Sequence, residues 1–146
     1  MDREKYSRQI RLFGEETQQK LSSAKVRIVA PENSDILPFL IRLITQIGSQ
    51  LVTEKDRGEV DWVFVVDQPD TVCSDGLDSN QLYICTKTLS IAKSNPILTQ
   101  CTPAQIDSSV YREYLNILAG VAVQEYIKTM AGIQTLDHWS LLDTLK

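Results

Sequence analysis

The amino-acid sequence predicts an α/β protein, in which a mostly parallel sheet carries helices on both faces and follows an N-terminal helical arm. Two segments carry this prediction. Residues 61–67 form a nearly continuous apolar run, which is typical of a parallel strand buried on both sides. Residues 111–130 form the strongest helical pattern, and only Asn116 is polar between Tyr114 and Val123. Strands and helices in this alternation indicate a Rossmann-like architecture.

The predicted elements alternate along the chain, and local signals mark their ends. Gly14 interrupts the N-terminal arm, and Gly48 closes the first core helix. Ser34 is the expected N-cap of that helix, and Pro38 is tolerated because it lies in or next to the first turn. The elements in chain order are the helical arm 6–12 and 15–24, strand 25–30, helix 36–47, strands 50–53, 61–67 and 81–85, helix 111–130 and strand 138–143, with irregular chain at 68–80 and 94–109.

Length and composition predict one soluble domain and exclude several functions. A chain of 146 residues can bury a core of its own, because a domain of ~150 residues buries roughly 68–70% of its unfolded surface. The net charge of −4, with acids and bases interspersed, offers no basic surface for nucleic acid or a membrane. We expect neither a membrane span nor a secretory signal. The three cysteines are widely spaced, which indicates reduced thiols in the cytosol or nucleus.

The turn after the first predicted strand is unusual for a nucleotide-binding protein. In a nucleotide-binding βαβ unit this turn is rich in glycine, because only glycine lets backbone N–H groups approach a phosphate closely. Here the turn reads Pro31-Glu-Asn-Ser-Asp35, with no glycine and two carboxylates. We interpret it as a nucleotide site that has lost its function on a scaffold that is retained.

Two other segments carry a resemblance to a known family. Residues 6–14 read Tyr-Ser-Arg-Gln-Ile-Arg-Leu-Phe-Gly, and Gln18 and Gln19 follow them. This segment resembles the Tyr-x-Arg-Gln-Ile/Leu-Arg-Leu-Trp-Gly-x-x-x-Gln opening of the E1-like family, which has the ThiF/MoeB fold, with phenylalanine in the tryptophan position. Residues 120–128 read Gly-Val-Ala-Val-Gln-Glu-Tyr-Ile-Lys. They look like the Gly-Gly-x-x-Ala-Gln-Glu-x-x-Lys helix of the same family.

The resemblance implies a single E1-like pseudo-adenylation domain over residues 1–146, with a helical arm at 1–24 and a Rossmann-like core at 25–146. The departures from the family are equally informative. The acidic, basic and Mg²⁺-binding residues of active members have no assignable counterpart here, and the cysteine-bearing inserted domain and the zinc-binding CxxC pairs are absent. The chain therefore resembles the non-catalytic subunit of a heterodimeric activating enzyme, of the SUMO (Aos1) or NEDD8 (APPBP1) type. The run at 52–58 favours the SUMO type, whose members have a similar Val-Thr-Glu-Glu-Asp-Leu-Gly run.

The partner implied by this resemblance is a catalytic E1 subunit of the Uba2 or Uba3 kind and, through it, a ubiquitin-like protein in the nucleus or cytoplasm. ATP and Mg²⁺ are expected on that partner, and no cofactor is expected on this chain. Two alternatives remain open. The chain could be an atypical minimal adenylating or nucleotide-binding enzyme, against which the turn 31–35 argues. It could also be an E1-derived scaffold without a role in activation, against which the retained segment 6–14 argues.

Arg8 is the residue singled out for chemistry. In family dimers the arginine of this segment reaches across the interface towards the ATP phosphates of the partner, a task that suits the always-charged, bidentate guanidinium. The alternative is an arginine on a solvated helix that pairs with Glu4 or Glu15. The residues expected at the subunit interface are Tyr6, Gln9, Ile10, Leu12, Phe13, Leu118, Val121 and Ala122. Since helix 111–130 is apolar nearly all round, its second face needs cover from the partner or from the chain's own N-terminal arm.

Other reactive side chains favour structural roles. His138, the only histidine, stands beside Trp139 in a predicted strand, where packing is the expected role. Cys73 lies near Asp75, whose charge would raise a thiol pKa rather than activate a nucleophile. The aspartates of this region lack the spacing of a calcium loop and are expected to form a solvated acidic loop. They are Asp67, Asp70, Asp75 and Asp78.

Overall fold

The computed structural model describes residues 4, 11–12, 14–31, 33–52, 60–67, 81–93, 108–135 and 138–141. Within these ranges, six strands form one sheet and three helices pack on it. In chain order the elements are α1 (Glu15–Ser23), β1 (Lys25–Val29), α2 (Leu37–Gln46), β2 (Gln50–Val52), β3 (Trp62–Val66), β4 (Gln81–Cys85), β5 (Ser90–Ala92), α3 (Ser108–Met130) and β6 (His138–Ser140). None of the helices in these ranges is long and apolar enough to cross a membrane.

The sheet has the strand order β2-β1-β3-β4-β5-β6. The pairs β1–β2, β1–β3 and β3–β4 are parallel, whereas β4–β5 and β5–β6 are antiparallel. This topology confirms the predicted α/β class with a mostly parallel sheet. Because β2 lies on one side of β1 and β3 on the other, the strand order reverses at β1. Such a reversal opens a crevice at the carboxyl ends of the two central strands.

Most element bounds agree with the sequence prediction, and one helix start does not. β4 has the predicted bounds, and α2 ends before Gly48, whose φ of 91° suits a glycine after a helix. The prediction that Ser34 caps α2 is wrong. The N-cap is Ile36, which makes no side-chain capping bond, and Pro38 lies in the first turn as predicted. Ser34 instead accepts a hydrogen bond through its carbonyl oxygen from the Leu37 amide at 3.2 Å.

β5 is the element that the sequence prediction missed. It is three residues long and pairs antiparallel with β4 after the turn 86–89, in which Leu89 has a φ of 51°. A strand of three residues is too short for the alternation of apolar and polar side chains to identify it in the sequence. It is defined by its neighbours, since β6 pairs along its other edge.

The hydrophobic core lies between the helices and one face of the sheet. Alternate residues of the strands contribute to it, including Val26, Phe64 and Ile84, together with residues of all three helices. The other face carries Val63 and Val65, which are also buried but lie outside this cluster. All three described helices contribute to the cluster on the first face, and no helix among the described residues joins the second.

The first helix is fastened to the core by polar side chains. Gln18 is fully buried and donates through Nε2 to the carbonyl oxygen of Ile47 at 3.0 Å. Ser49 donates to the carbonyl oxygen of Leu21 at 2.7 Å. A buried side chain bonded to the backbone of another element fixes the position of both. α1 therefore has a defined place beside the start of β2, and Gln18, not Gln19, is the buried glutamine of the family-like opening.

Candidate functional site

A cleft lies at the carboxyl ends of β1, β3 and β4, where proteins of this architecture bind ligands. It has a volume of about 230 Å³. The turn after β1 contributes Ser34 and Asp35, and Asp67 follows β3. Thr86, which follows β4, and Tyr111 from the first turns of α3 line the opposite side. Residues 31 and 33–35 of the predicted turn thus line this cleft.

Asp67 is held in place by its own neighbours. Its backbone is left-handed, with a φ of 53°, and its amide donates to the carbonyl oxygen of Ile84 at 2.9 Å. Its two carboxylate oxygens accept from Thr86, one from the amide at 2.8 Å and the other from the hydroxyl at 2.5 Å. The Tyr111 hydroxyl donates to the carbonyl oxygen of Thr86 at 3.0 Å. These bonds tie the end of β3 to the turn after β4, and they leave the Asp67 charge at the cleft wall.

The electrostatics of the cleft oppose phosphate. Asp35 and Asp67 are the charged residues among its described lining, which includes no lysine or arginine. A phosphate charge about 5 Å from a carboxylate would meet a repulsion of roughly 3 kcal/mol at an effective dielectric of about 20. Water screens the exposed Asp35 more than the half-buried Asp67. Because the turn has no glycine, its backbone N–H groups cannot approach a phosphate closely enough to offset this repulsion.

The side-chain hydroxyl of Ser34 lines this cleft. Its Oγ is buried and has no hydrogen-bond partner among the described residues. The cleft can therefore supply hydroxyl and carboxylate oxygens, which suits a polar neutral or cationic group better than an anion. Within the described ranges, no group of three His, Cys, Asp or Glu side chains is placed to hold a metal ion. Asp70, Asp75 and Asp78 lie outside those ranges.

Sequence reasoning identified the turn 31–35 and missed the opposite wall of the cleft. Asp67, Thr86 and Tyr111 were not predicted as site residues. A signal was present for the first two, because each immediately follows a strand of a parallel pair. Carboxyl ends of parallel strands meet at one edge of a sheet. Tyr111 comes from a helix 25 residues further on, and its hydrogen bond to Thr86 has no local sequence signal.

The predicted interface residues fall into two groups. Tyr6, Arg8, Gln9, Ile10 and Phe13 lie outside the described residues. Of the others, Leu12 is 69% exposed, whereas Leu118 and Ala122 are 0% exposed and belong to the core of this chain. Val121 is half-buried and packs against that core. Leu12 is thus the predicted interface residue that the described surface offers to a partner.

Residues 120–128, the second segment on which the family resemblance was based, have a structural role in α3. Glu125 is 3% exposed, and its carboxylate pairs with the ammonium group of Lys128 at 3.3 Å. The backbone carbonyl of Glu125 accepts from the Thr129 hydroxyl at 2.9 Å. A buried carboxylate requires such partners, because its desolvation is otherwise unfavourable. The Glu-x-x-Lys spacing is therefore explained by packing within one helix.

The remaining candidate side chains give no catalytic arrangement in the described part of the chain. Cys85 is a buried residue at the end of β4. Cys73 and Cys101 lie outside the described residues. His138 is the first residue of β6 and pairs in register with Ala92 of β5, as expected of a strand residue.

Comparison with known proteins identifies only weak structural similarity. No protein-family model matches the sequence, and no curated protein matches it. One solved structure, described as a heterocyclase in complex with substrate and cofactor, aligns with 11% sequence identity and a TM-score of 0.48. The alignment covers 80% of this chain and 21% of that one, so the chain spans about a fifth of its length. The α/β class of this protein rests on its own sheet topology.

Proposed function

We propose that this chain is the non-catalytic subunit of a heterodimeric E1 enzyme that activates a ubiquitin-like modifier, with the SUMO type favoured. One observation carries the non-catalytic part of the proposal. The cleft at the switch point of the sheet, where a nucleotide phosphate would lie, is lined by Asp35 and Asp67, and the turn beside it contains no glycine. The described residues keep the architecture of a nucleotide-binding domain, and those that line the cleft include no lysine, arginine or glycine to hold phosphate.

The family-like opening supports the E1 part of the proposal. The helix that follows this opening, α1, is fastened to the core through hydrogen bonds of Gln18 and Ser49. Leu12, just before that helix, is 69% exposed. In the proposed heterodimer the partner subunit would cover this apolar side chain. In this role the chain stabilises the catalytic subunit.

Arg8 is the residue through which the chain would contribute to the adenylation reaction. It belongs to the family-like opening and lies outside the described residues. An arginine supplied by one subunit to phosphates held by another stabilises charge that develops during adenylation. ATP and Mg²⁺ would lie on the partner, which would carry out the covalent steps.

Reconstitution tests the proposal. The chain is co-expressed with a SUMO-type or a NEDD8-type catalytic subunit, and ATP–pyrophosphate exchange is measured with each cognate modifier. We expect a stable complex and modifier-dependent exchange with the SUMO-type subunit, and none for the chain alone. Exchange only with the NEDD8-type subunit would correct the modifier class. A well-folded chain that binds neither subunit would overturn the proposal and favour the scaffold alternative.

A further inference from the structure

Two arginine side chains lie over one aromatic ring on the surface that α2 and α3 form together. The guanidinium carbon of Arg42, on α2, is 5.8 Å from the centre of the Phe39 ring, and that of Arg112, on α3, is 5.8 Å from the same centre. Phe39 is half-buried and packs against the hydrophobic core, whereas both arginines are exposed. Arg42 and Arg112 are called the arginine pair below.

The guanidinium of Arg42 is held from both helices. It lies over Phe39 of its own helix, and its Nη2 atom donates to the amide oxygen of Asn116 on α3 at 3.2 Å. The place of this group therefore depends on the packing of α2 against α3. A side chain that is already held in position loses less conformational entropy when it binds a partner.

The arginine pair has no carboxylate partner in the part of the chain that the structure describes. No described aspartate or glutamate lies within ion-pair distance of either guanidinium, including Glu113, the exposed neighbour of Arg112. Two cations over one ring repel each other, and an anion that contacts both offsets this repulsion. Because the whole chain has a net charge of −4, attraction of an acidic partner would be a local property of this surface.

The helix surface beside the arginine pair is apolar. Ile117, next to Asn116, is 46% exposed, and Val110, two residues before Arg112, is 38% exposed. Their spacing of seven residues places these two side chains on one side of α3. Gly120 follows on the same helix, where a Cβ atom would meet nothing within 4 Å, so this stretch is open to a partner. The surface thus combines two cations with exposed aliphatic side chains.

We propose that the surface formed by the arginine pair, Val110 and Ile117 docks an acidic segment of a partner protein, in which carboxylates alternate with apolar side chains. The carboxylates pair with the guanidiniums, whose planar donors match them, and the apolar side chains cover Ile117. Because the two arginines come from neighbouring helices, a segment with several carboxylates can pair with both. The proposal does not depend on the E1 assignment, since these residues belong neither to the arm nor to the cleft lining.

Fluorescence anisotropy with the full chain tests this proposal. The probe is a labelled peptide of Glu-Leu-Asp repeats, and the same peptide with Gln and Asn in place of the acids is its neutral control. We expect saturable binding of the acidic peptide, at least about tenfold tighter than that of the neutral one. Binding should weaken as salt is added, because these charges are exposed. Equal binding of the two peptides, or displacement by inorganic phosphate at the same concentration as the peptide, would overturn the proposal.

Charge variants locate the binding on this surface. Arg42→Gln and Arg112→Gln should each weaken binding of the acidic peptide several-fold, and Arg112→Lys should restore it only in part, because lysine does not donate bidentately. Lys87→Gln removes one positive charge from an exposed residue outside this surface and should leave binding unchanged. Circular dichroism confirms that each variant is folded. Unchanged binding in both arginine variants, or an equal loss in Lys87→Gln, would show that the peptide does not dock here.

Discussion

The hydroxyl group of Tyr126 lies 2.8 Å from the hydroxyl of Ser49. Because Ser49 uses its own proton to donate to the carbonyl oxygen of Leu21, Tyr126 must be the donor in this pair. The chain of bonds joins α3 to the start of β2 and to the end of α1. The bonds are buried, since Tyr126 is 0% exposed, and they fix the position of α1 relative to α3.

Removal of this hydroxyl should loosen the attachment of α1. Tyr126→Phe leaves Ser49 without its donor, and we expect the free energy of unfolding to fall by about 1–2 kcal/mol. Urea denaturation followed by circular dichroism measures it. Tyr114→Phe, at a half-buried position on the same helix, is the matched control and should change stability by less. Equal losses in the two variants would mean that the bond to Ser49 contributes little.

The same tyrosine should make stability depend on alkaline pH. Burial raises the pKa of Tyr126 from 10.0 to about 12, the hydrogen bond with Ser49 lowers it in part, and the charge of Asp61 raises it. Between these two pKa values the unfolded chain loses the proton and the folded chain keeps it. The free energy of unfolding should therefore fall as pH rises from 10 to 12, by roughly 2–3 kcal/mol.

Tyr126→Phe isolates this effect from the titration of other groups. The wild-type chain and the variant are unfolded in urea across pH 9 to 12, and the difference between their stabilities is plotted against pH. We expect the wild type to lose its advantage as pH approaches 12. A difference that does not change with pH would contradict the raised pKa.

The isolated chain should not bind Mg-ATP. Asp35 and Asp67 line the cleft in which the phosphates would lie, and no described lining residue is basic. Calorimetric titration of the purified chain should be flat, whereas a catalytic E1 subunit in the same buffer should give a binding isotherm. A micromolar dissociation constant for the isolated chain would remove the main support for a non-catalytic role and favour the atypical nucleotide-binding enzyme.

Arg8→Ala should slow modifier-dependent ATP–pyrophosphate exchange in the reconstituted heterodimer at subsaturating ATP, without preventing assembly. Arg8→Lys should restore the rate only in part, because lysine cannot donate two parallel hydrogen bonds to phosphate. Lys20→Ala is the control, since Lys20 forms an exposed pair with Glu16 at 3.9 Å within α1. Unchanged exchange rates in Arg8→Ala would favour the alternative in which Arg8 lies on a solvated helix. The chain would then be a purely structural partner.

The chain should be an obligate subunit that associates through its arm. Leu12→Asp should weaken the complex with the catalytic subunit by more than tenfold, because a charge in an apolar interface must be desolvated. The stability of the isolated chain should change little, since Leu12 is 69% exposed. Light scattering and titration of the two subunits measure this. Ile41→Asp, at a residue that is 41% exposed on α2, is the control, and an equal effect there would mean that the arm is not the specific contact.

Local patterns in the sequence determined the main elements of the fold. The apolar run of β3, the strand β4 and the long helix α3 were predicted because their periods and lengths are local properties. The glycine-free turn between Pro31 and Asp35 was also read directly, and its position at the carboxyl edge follows from the parallel order of the strands. These features depend on neighbours in the chain.

Contacts between distant segments decided what the patterns left open. The pattern of an apolar helix does not indicate which element covers it. The tertiary structure places Leu118 and Ala122 in the core of the chain itself. The short strand β5, the engagement of Asp67 by Thr86 and the stacking of Arg112 on Phe39 likewise depend on partners far away in sequence. Burial and hydrogen bonding are properties of these three-dimensional neighbours, so only the folded chain distinguishes a core residue, a structural carboxylate and a stacked guanidinium.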